Sequence, residues 1–184
     1  MSTSDAPLLL TFGHGRADRA QLARLLTAAR VGAVVDVRRF PGSRSNPAAA
    51  AGQIEELCRE LGIDYRHEPR LGGRRRLTAA EDAAARDTWW RVAAFRAYAA
   101  YTRSDEFRAG LHELLAGLSA RRTAVMCSEA VWWRCHRRLI SDVAALESGC
   151  AVRHLLHDGT VAVHPVAAGA RLDIDGRVVW DDDQ

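Results

Sequence analysis

Two hydrophobic patterns alternate along the chain. Residues 8–12, 33–37 and 123–126 are short apolar runs of the length expected for buried strands. Between them, apolar residues recur every three or four positions, as in an amphipathic helix. Leu22, Leu25, Leu26 and Ala29 form one such stripe, and Ile54, Leu57, Cys58 and Leu61 a second. Phe107, Leu111, Leu114, Leu115 and Leu118 form a third, and Leu139, Ile140, Val143 and Leu146 a fourth. The punctuation agrees. Asp18 with Gln21, and Thr78 with Glu81, have the spacing of capping boxes. Ser104 is placed to cap the helix that follows it, and Asn46-Pro47 pairs an N-cap with proline at the first helical position. Gly32, Gly62 and Gly149 stand at helix ends. From Thr78 to about Thr102, Trp89, Val92, Phe95 and Tyr98 keep helical spacing and predict a continuous helix. Residues 63–67 and 152–156 add two strands. Beyond them, Asp158-Gly159 and Asp175-Gly176 lie between β-forming residues and predict two hairpins.

Strands alternating with helices predict an α/β fold. It is a three-layer sandwich with a mostly parallel sheet, helices on both faces, and antiparallel hairpin strands added at the C-terminus. No linker composition divides the chain. A single α/β domain over residues 1–184 is expected, with a core over about 8–156 and a hairpin appendage over 157–184.

Composition narrows the class. With 184 residues and 48% hydrophobic content, the chain can bury a core unaided, which argues against global disorder. No apolar stretch approaches the roughly 18 residues of a membrane span. The N-terminus lacks the basic lead and apolar run of a signal peptide, so a cytoplasmic protein with no membrane partner is expected. The four cysteines, Cys58, Cys127, Cys135 and Cys150, are then expected as reduced thiols. All 26 basic residues are arginine, a bias that a GC-rich coding sequence explains. Their distribution says more than the net charge of +3: residues 38–76 hold nine arginines against five acids, and Asp181, Asp182 and Asp183 return three charges at the end.

Ligands of open parallel sheets sit beyond the strand C-termini. There this sequence places His14 after the first strand, and Asp36, Arg38, Ser43 and Arg44 after the second. His67, Arg70, Gly72 and Gly73 follow the third strand, and Cys127, Ser128 and Glu129 the fourth. Arg134, Cys135, His136 and Arg137 open the next helix. The expected catalytic groups are Cys127, Glu129, His136 and Asp36. His14, Arg38, Ser43, Arg44, Gly72, Gly73, Cys135 and Arg137 are expected to bind substrate. Cys127, read as lying at a helix N-terminus near arginines, has the setting of an activated thiolate. A structural thiol is the competing reading, and Asp36–Arg38 reads equally as an ion pair that holds its loop. No cofactor is expected. Metal ligation by Cys127, Cys135 and His136 is the less favoured alternative, since seven residues separate the cysteines against the two to about four of common zinc loops. Cys58 and Cys150 read as structural.

The strings TFGHG, VVDVRRFPGSRSNP, LGG, FRAYAAY and above all VMCSEAVWWRCHRRLI closely resemble the bacterial domain of unknown function 488 family. The resemblance runs from about Leu8 to Val152 and implies an α/β sandwich with a functional site, but no reaction. The family more often has GHS where this chain has GHG, so Gly15 removes a hydroxyl. An enzyme acting on a small anionic or nucleotide-like ligand, as a cysteine-dependent transferase or hydrolase, is the leading expectation. The alternative is a nucleic-acid-binding, repair or modification factor that uses the arginine loops and exposed tryptophans.

Overall fold

The computed structural model describes residues 6–181. Of the acidic end, Asp182 and Asp183 lie outside the described residues. The main sheet contains β1 (Leu8–Gly13), β2 (Ala33–Asp36), β3 (Asp64–His67), β4 (Thr123–Cys127), β5 (Ala151–Leu155) and β6 (Val161–Val163), in the order β3-β2-β4-β1-β5-β6. All pairings are parallel except β5–β6. The helices are α1 (Arg19–Ala28), α2 (Gln53–Glu60), α3 (Ala79–Ala83), α4 (Ala93–Tyr101), α5 (Asp105–Ala116) and α6 (Arg137–Ser148). A separate antiparallel pair, β7 (Ala170–Leu172) and β8 (Val178–Trp180), closes the chain.

Alternation along the strands divides the core in two. Leu10, Phe12, Val34, Ala124 and Met126 face Leu22, Leu26, Ile54 and Leu57 of α1 and α2. Leu9, Val35, Val125 and Cys127 face Tyr98, Leu111, Leu139 and Val143 of α4, α5 and α6. This is the expected mixed α/β architecture. Each fully buried Leu, Val or Phe contributes about 1.5–3 kcal/mol, so neither face is dispensable. Both expected capping boxes form: Asp18 accepts from Gln21 N while Gln21 reaches back, and Thr78 and Glu81 do the same. No helix among the described residues is long and apolar enough to cross a membrane.

Three local expectations change. Residues 78–102 do not form one helix. The chain breaks between α3 and α4 because Asp87, fully buried there, takes Arg103 Nη2 at 2.6 Å and the backbone N of Trp180 at 3.2 Å. Those bonds outweigh helical periodicity. Asn46 caps a short 3-10 turn, Pro47–Ala49, and α2 starts only at Gln53. The second hairpin forms at Asp175-Gly176 but does not extend the main sheet. It packs on α6, with Val178, Val179 and Trp180 fully buried.

The topology selects one edge. Chain leaving β1 and β2 turns to the α1–α2 face, whereas chain leaving β4 turns to the opposite face and α6. Since β4 lies between β1 and β2, the paths diverge around its C-terminal end. Such a switch point leaves an open crevice.

Candidate functional site

Cys127 ends β4 opposite Gly13 of β1. The chain then loops through a 3-10 turn, Trp132–Arg134, before α6 begins at Arg137. The helix N-terminus therefore belongs to Cys135 and His136: Arg138 N donates to Cys135 O at 3.0 Å, and Leu139 N to His136 O at 3.0 Å. Cys127 does not sit on a helix end as expected; the tryptophan turn intervenes. The loop lies tightly on β1. A Cβ on Gly13 would come 1.8 Å from Glu129 O, so only glycine lets the two backbones meet.

The turn returns Cys135 and His136 to Cys127. His136 Nδ1 lies 3.8 Å from Cys127 Sγ and 3.7 Å from Cys135 Sγ. The three ligand-type atoms all fall within 4.8 Å of one another. Both thiols are buried; His136 is half-buried, and its Nε2 has no partner among the described residues. Gly73 clears the space beside the ring, since a Cβ there would stand 2.8 Å from Nδ1.

Arg137 lies behind this cluster, 1% exposed. Its Nε donates to Cys135 Sγ at 3.4 Å, its Nη1 to Thr11 Oγ1 at 3.2 Å, and its Nη2 to Glu129 O. It makes no ion pair with a carboxylate among the described residues. A buried cation without a counter-charge is costly, so the nearest sulfur is the natural anion. The thiol shifts follow that arrangement. Burial opposes charge on Cys135, but the Cys127 hydrogen bond and the neighbouring His136 and Arg137 hold it well below the usual thiol range. Cys127 is pushed up by the Cys135 sulfur and by burial.

Thr11 extends the network. Its Oγ1 lies 2.7 Å from His154 Nδ1, His154 Nε2 lies 3.0 Å from His164 Nδ1, and His164 Nε2 lies 2.9 Å from Asp142 Oδ1. Burial, with the His164 and Arg137 charges, lowers His154 to about 3. Trp132 stacks on its ring with centroids 4.2 Å apart.

A cleft of about 270 Å³ opens over the cluster. Cys127, Ser128, Glu129, Arg134, Cys135 and His136 line it from the β4–α6 side. Arg38, Arg39, Phe40, Gly73, Arg74, Phe95 and Tyr98 line the rest. Arg39, Arg74 and Arg134 are exposed and form no ion pair among the described residues. Glu129 is the one acid in this lining, and its Oε1 accepts from Val131 N at 3.1 Å.

Of the residues singled out from the sequence, the cleft thus gathers Cys127, Ser128, Glu129, Arg134, Cys135, His136, Gly73 and Arg38. Arg137 supports it from behind. Gly72 is buried at its edge, where a Cβ would come 2.9 Å from Arg39 Cα. The others fall elsewhere. Asp36 is fully buried, accepting from Arg38 Nη2 at 2.6 Å, Arg38 Nε at 2.9 Å and Tyr65 Oη at 2.9 Å. Arg38 spends Nη1 on Ala49 O at 3.0 Å. His14 lies nearby and buried; burial lowers it, and Nδ1 lies 3.0 Å from Gly15 O. Ser43 Oγ receives Asn46 N at 3.0 Å, which braces the loop, and Arg44 is exposed outside the cleft lining.

The family model for the domain of unknown function DUF488 matches residues 18–144. The chain belongs to this family. The matched span of this DUF488 protein begins at the α1 cap and runs through the Cys127–His136 cluster into α6. It thus contains every cleft residue named above. No curated protein and no solved structure gives a match.

Sequence reasoning missed Arg39, Phe40, Phe95 and Tyr98 as cleft walls. Phe95 and Tyr98 carry a helical core pattern, and one face of α4 serves both core and cleft. Arg39 reads in the sequence only as a member of a basic stretch.

Proposed function

We propose that this DUF488 protein binds a small anionic, nucleotide-like ligand in the cleft at the end of β4. It acts there as a group-transfer or hydrolytic enzyme. One observation carries the reading: three exposed arginines without acidic partners among the described residues, Arg39, Arg74 and Arg134, surround a buried thiol–imidazole cluster. Guanidinium groups hold phosphate or carboxylate oxygens in bidentate fashion. Phe40, 65% exposed, and Phe95 offer flat apolar faces for a base or similar ring. Glu129 at the rim is the proton carrier closest in sequence to the cluster. Cys127, Cys135 and His136 form the reacting floor.

Calorimetric titration with inorganic phosphate and with nucleoside monophosphates tests this reading. Saturable binding that weakens on Arg74→Ala and Arg134→Ala is expected, with nucleotides binding more tightly than phosphate. Absence of binding at millimolar ligand, or binding indifferent to both substitutions, removes it.

Trp133, 50% exposed beside Arg134, favours a second reading in which the same edge holds single-stranded nucleic acid by stacking. Binding to an oligonucleotide that falls steeply with salt, with no nucleotide bound, would select it.

A further inference from the structure

We propose that Cys127 Sγ, Cys135 Sγ and His136 Nδ1 form a three-ligand site for one thiophilic divalent cation of the zinc type, with the fourth position turned to the cleft. The proposal rests on the anion reading only for the identity of the fourth ligand.

The geometry supports it. Zinc bonds of about 2.3 Å to sulfur and about 2.0–2.1 Å to nitrogen, at tetrahedral angles, separate S and N by about 3.6 Å. The two S···Nδ1 distances are 3.8 and 3.7 Å, so Nδ1 is almost equidistant from both sulfurs. One N–H cannot point well at two acceptors at once, whereas one cation satisfies all three atoms. Gly73 packs its backbone on the face of the His136 ring, where a methyl group would stand 2.8 Å from Nδ1 and 3.2 Å from Cγ and push the ring aside, so glycine there lets Nδ1 keep its place between the sulfurs.

The ligands are held in place before any ion arrives. Cys127 is fixed by β4, whose end pairs with β1 at Gly13, and Cys135 and His136 by the first turn of α6. Arg137 Nε on Cys135 Sγ, at 3.4 Å, is an outer donor of the kind that orients a thiolate ligand. The spacing that argued against a zinc loop loses its force, because the ligands come from a strand end and a helix start. Three protein ligands with the fourth position free is the pattern of an open rather than a closed structural site.

Charge links the site to the cleft. Two thiolates and a divalent cation cancel, and Arg137 leaves one positive charge. An anionic fourth ligand neutralises it, and Arg134 and Arg74 line the path along which an anion would enter. The competing account is a metal-free thiol–thiolate pair, balanced by Arg137 alone.

The test uses the full chain, purified reduced and without chelator from zinc-supplied cells. Metal content is measured, and the stripped protein is titrated with Co²⁺. Close to one zinc per chain is expected, together with sulfur-to-cobalt charge-transfer absorption and intense tetrahedral ligand-field bands. Changing an outer partner typically costs about 10–100-fold in metal affinity, so Cys127→Ser or Cys135→Ser should cost about 100-fold or more. Cys58→Ala, on the opposite sheet face, should leave the spectrum unchanged. Should the serine variants misfold, Gly73→Ala gives the second reading: a methyl pressed on the His136 ring face should displace Nδ1 and weaken Co²⁺ binding. A reduced wild-type protein without metal or charge-transfer bands overturns the proposal, as do bands that survive both serine substitutions. Phosphate titrated into stripped and zinc-loaded protein separates the two ideas. Cobalt bands without phosphate binding remove the anion reading alone, and phosphate binding without cobalt bands removes the metal alone.

Discussion

Two polar clusters lie at neighbouring strand ends, on opposite faces of the sheet, and they differ in how much of their bonding capacity the protein uses. The Asp36 carboxylate and the Arg38 guanidinium are fully engaged, although His14 Nε2 beside them has no partner among the described residues. The Asp36 oxygens take Arg38 N, Nε and Nη2 and the Tyr65 hydroxyl, and Arg38 Nη1 goes to Ala49 O. His67 Nε2 meets Arg38 O at 2.8 Å. Around Cys127 the opposite holds. Two sulfurs and one imidazole nitrogen converge on each other, with a cleft in front and, at its rim, arginines that form no ion pair among the described residues. Residue types that read alike in sequence are thus separated by saturation. A carboxylate with all its acceptor positions filled holds structure, and a cluster with spare capacity is open to a ligand.

The largest expected effect would break this comparison if it failed. Asp36→Ala leaves the buried Arg38 guanidinium without a counter-charge. Removing one partner of a buried pair costs about 3–5 kcal/mol. Urea denaturation of the variant should show a loss of that size. A loss under about 1 kcal/mol would mean that Arg38 finds another anion or water, and that the Asp36 cluster is not closed.

Acid should come next, through the network behind the open cluster. Burial, with the His164 and Arg137 charges, holds His154 at about 3, so the folded protein keeps it neutral while the unfolded chain takes a proton below about 6.5. His154 faces Thr11, His164 and the Trp132 ring. Its contribution is complete above about 6.5 and is lost as pH falls toward about 3, at roughly 1.4 kcal/mol per pH unit. His14, also lowered by burial, adds to the same window. Stability measured between pH 6.5 and 5, above the range where carboxylates titrate, should fall more steeply for wild type than for His154→Gln. Equal slopes would place the acid sensitivity elsewhere.

The thiols sharpen the contrast. Cys127→Ser is nearly isosteric, and removing one weak hydrogen bond costs about 1 kcal/mol. The melting temperature should move little while cleft binding collapses. A large stability loss with intact phosphate binding would make Cys127 a core thiol like Cys58, which is fully buried and pushed up to about 12, first by burial and then by Asp36.

The sequence shows these two clusters unequally. Period and capping disclose the sheet and most helices, because β1, β4, α1 and α5 form where local preference and burial agree. The break at Asp87 is invisible locally, since it exists to meet Trp180, far along the chain. The same limit applies at the site. CSE and CHR mark the residues of the cluster, but the placement of Cys135 rather than Cys127 on the helix start depends on a tryptophan turn stacked on His154. Saturation at Asp36 required Tyr65 and Ala49, from two other elements, to be brought beside it.

The smallest expected effects distinguish arginines that a sequence treats as equals. Arg44 and Arg134 both follow strand ends and both are exposed, yet only Arg134 lines the cleft. Neither makes an ion pair among the described residues, so alanine at either position should change stability by no more than about 0.5 kcal/mol. Phosphate binding should separate them. One charge-assisted contact at an exposed rim is worth about 1.4 kcal/mol, or tenfold in affinity. Arg134→Ala should therefore weaken phosphate about tenfold, and Arg44→Ala should leave it within twofold or so, as for other surface changes. If Arg44→Ala carried the larger loss, the loop after β2 would be the anion site. Asp36 and Arg38, which anchor that loop, would then position the ligand, and the division between a closed and an open cluster would have to be drawn the other way.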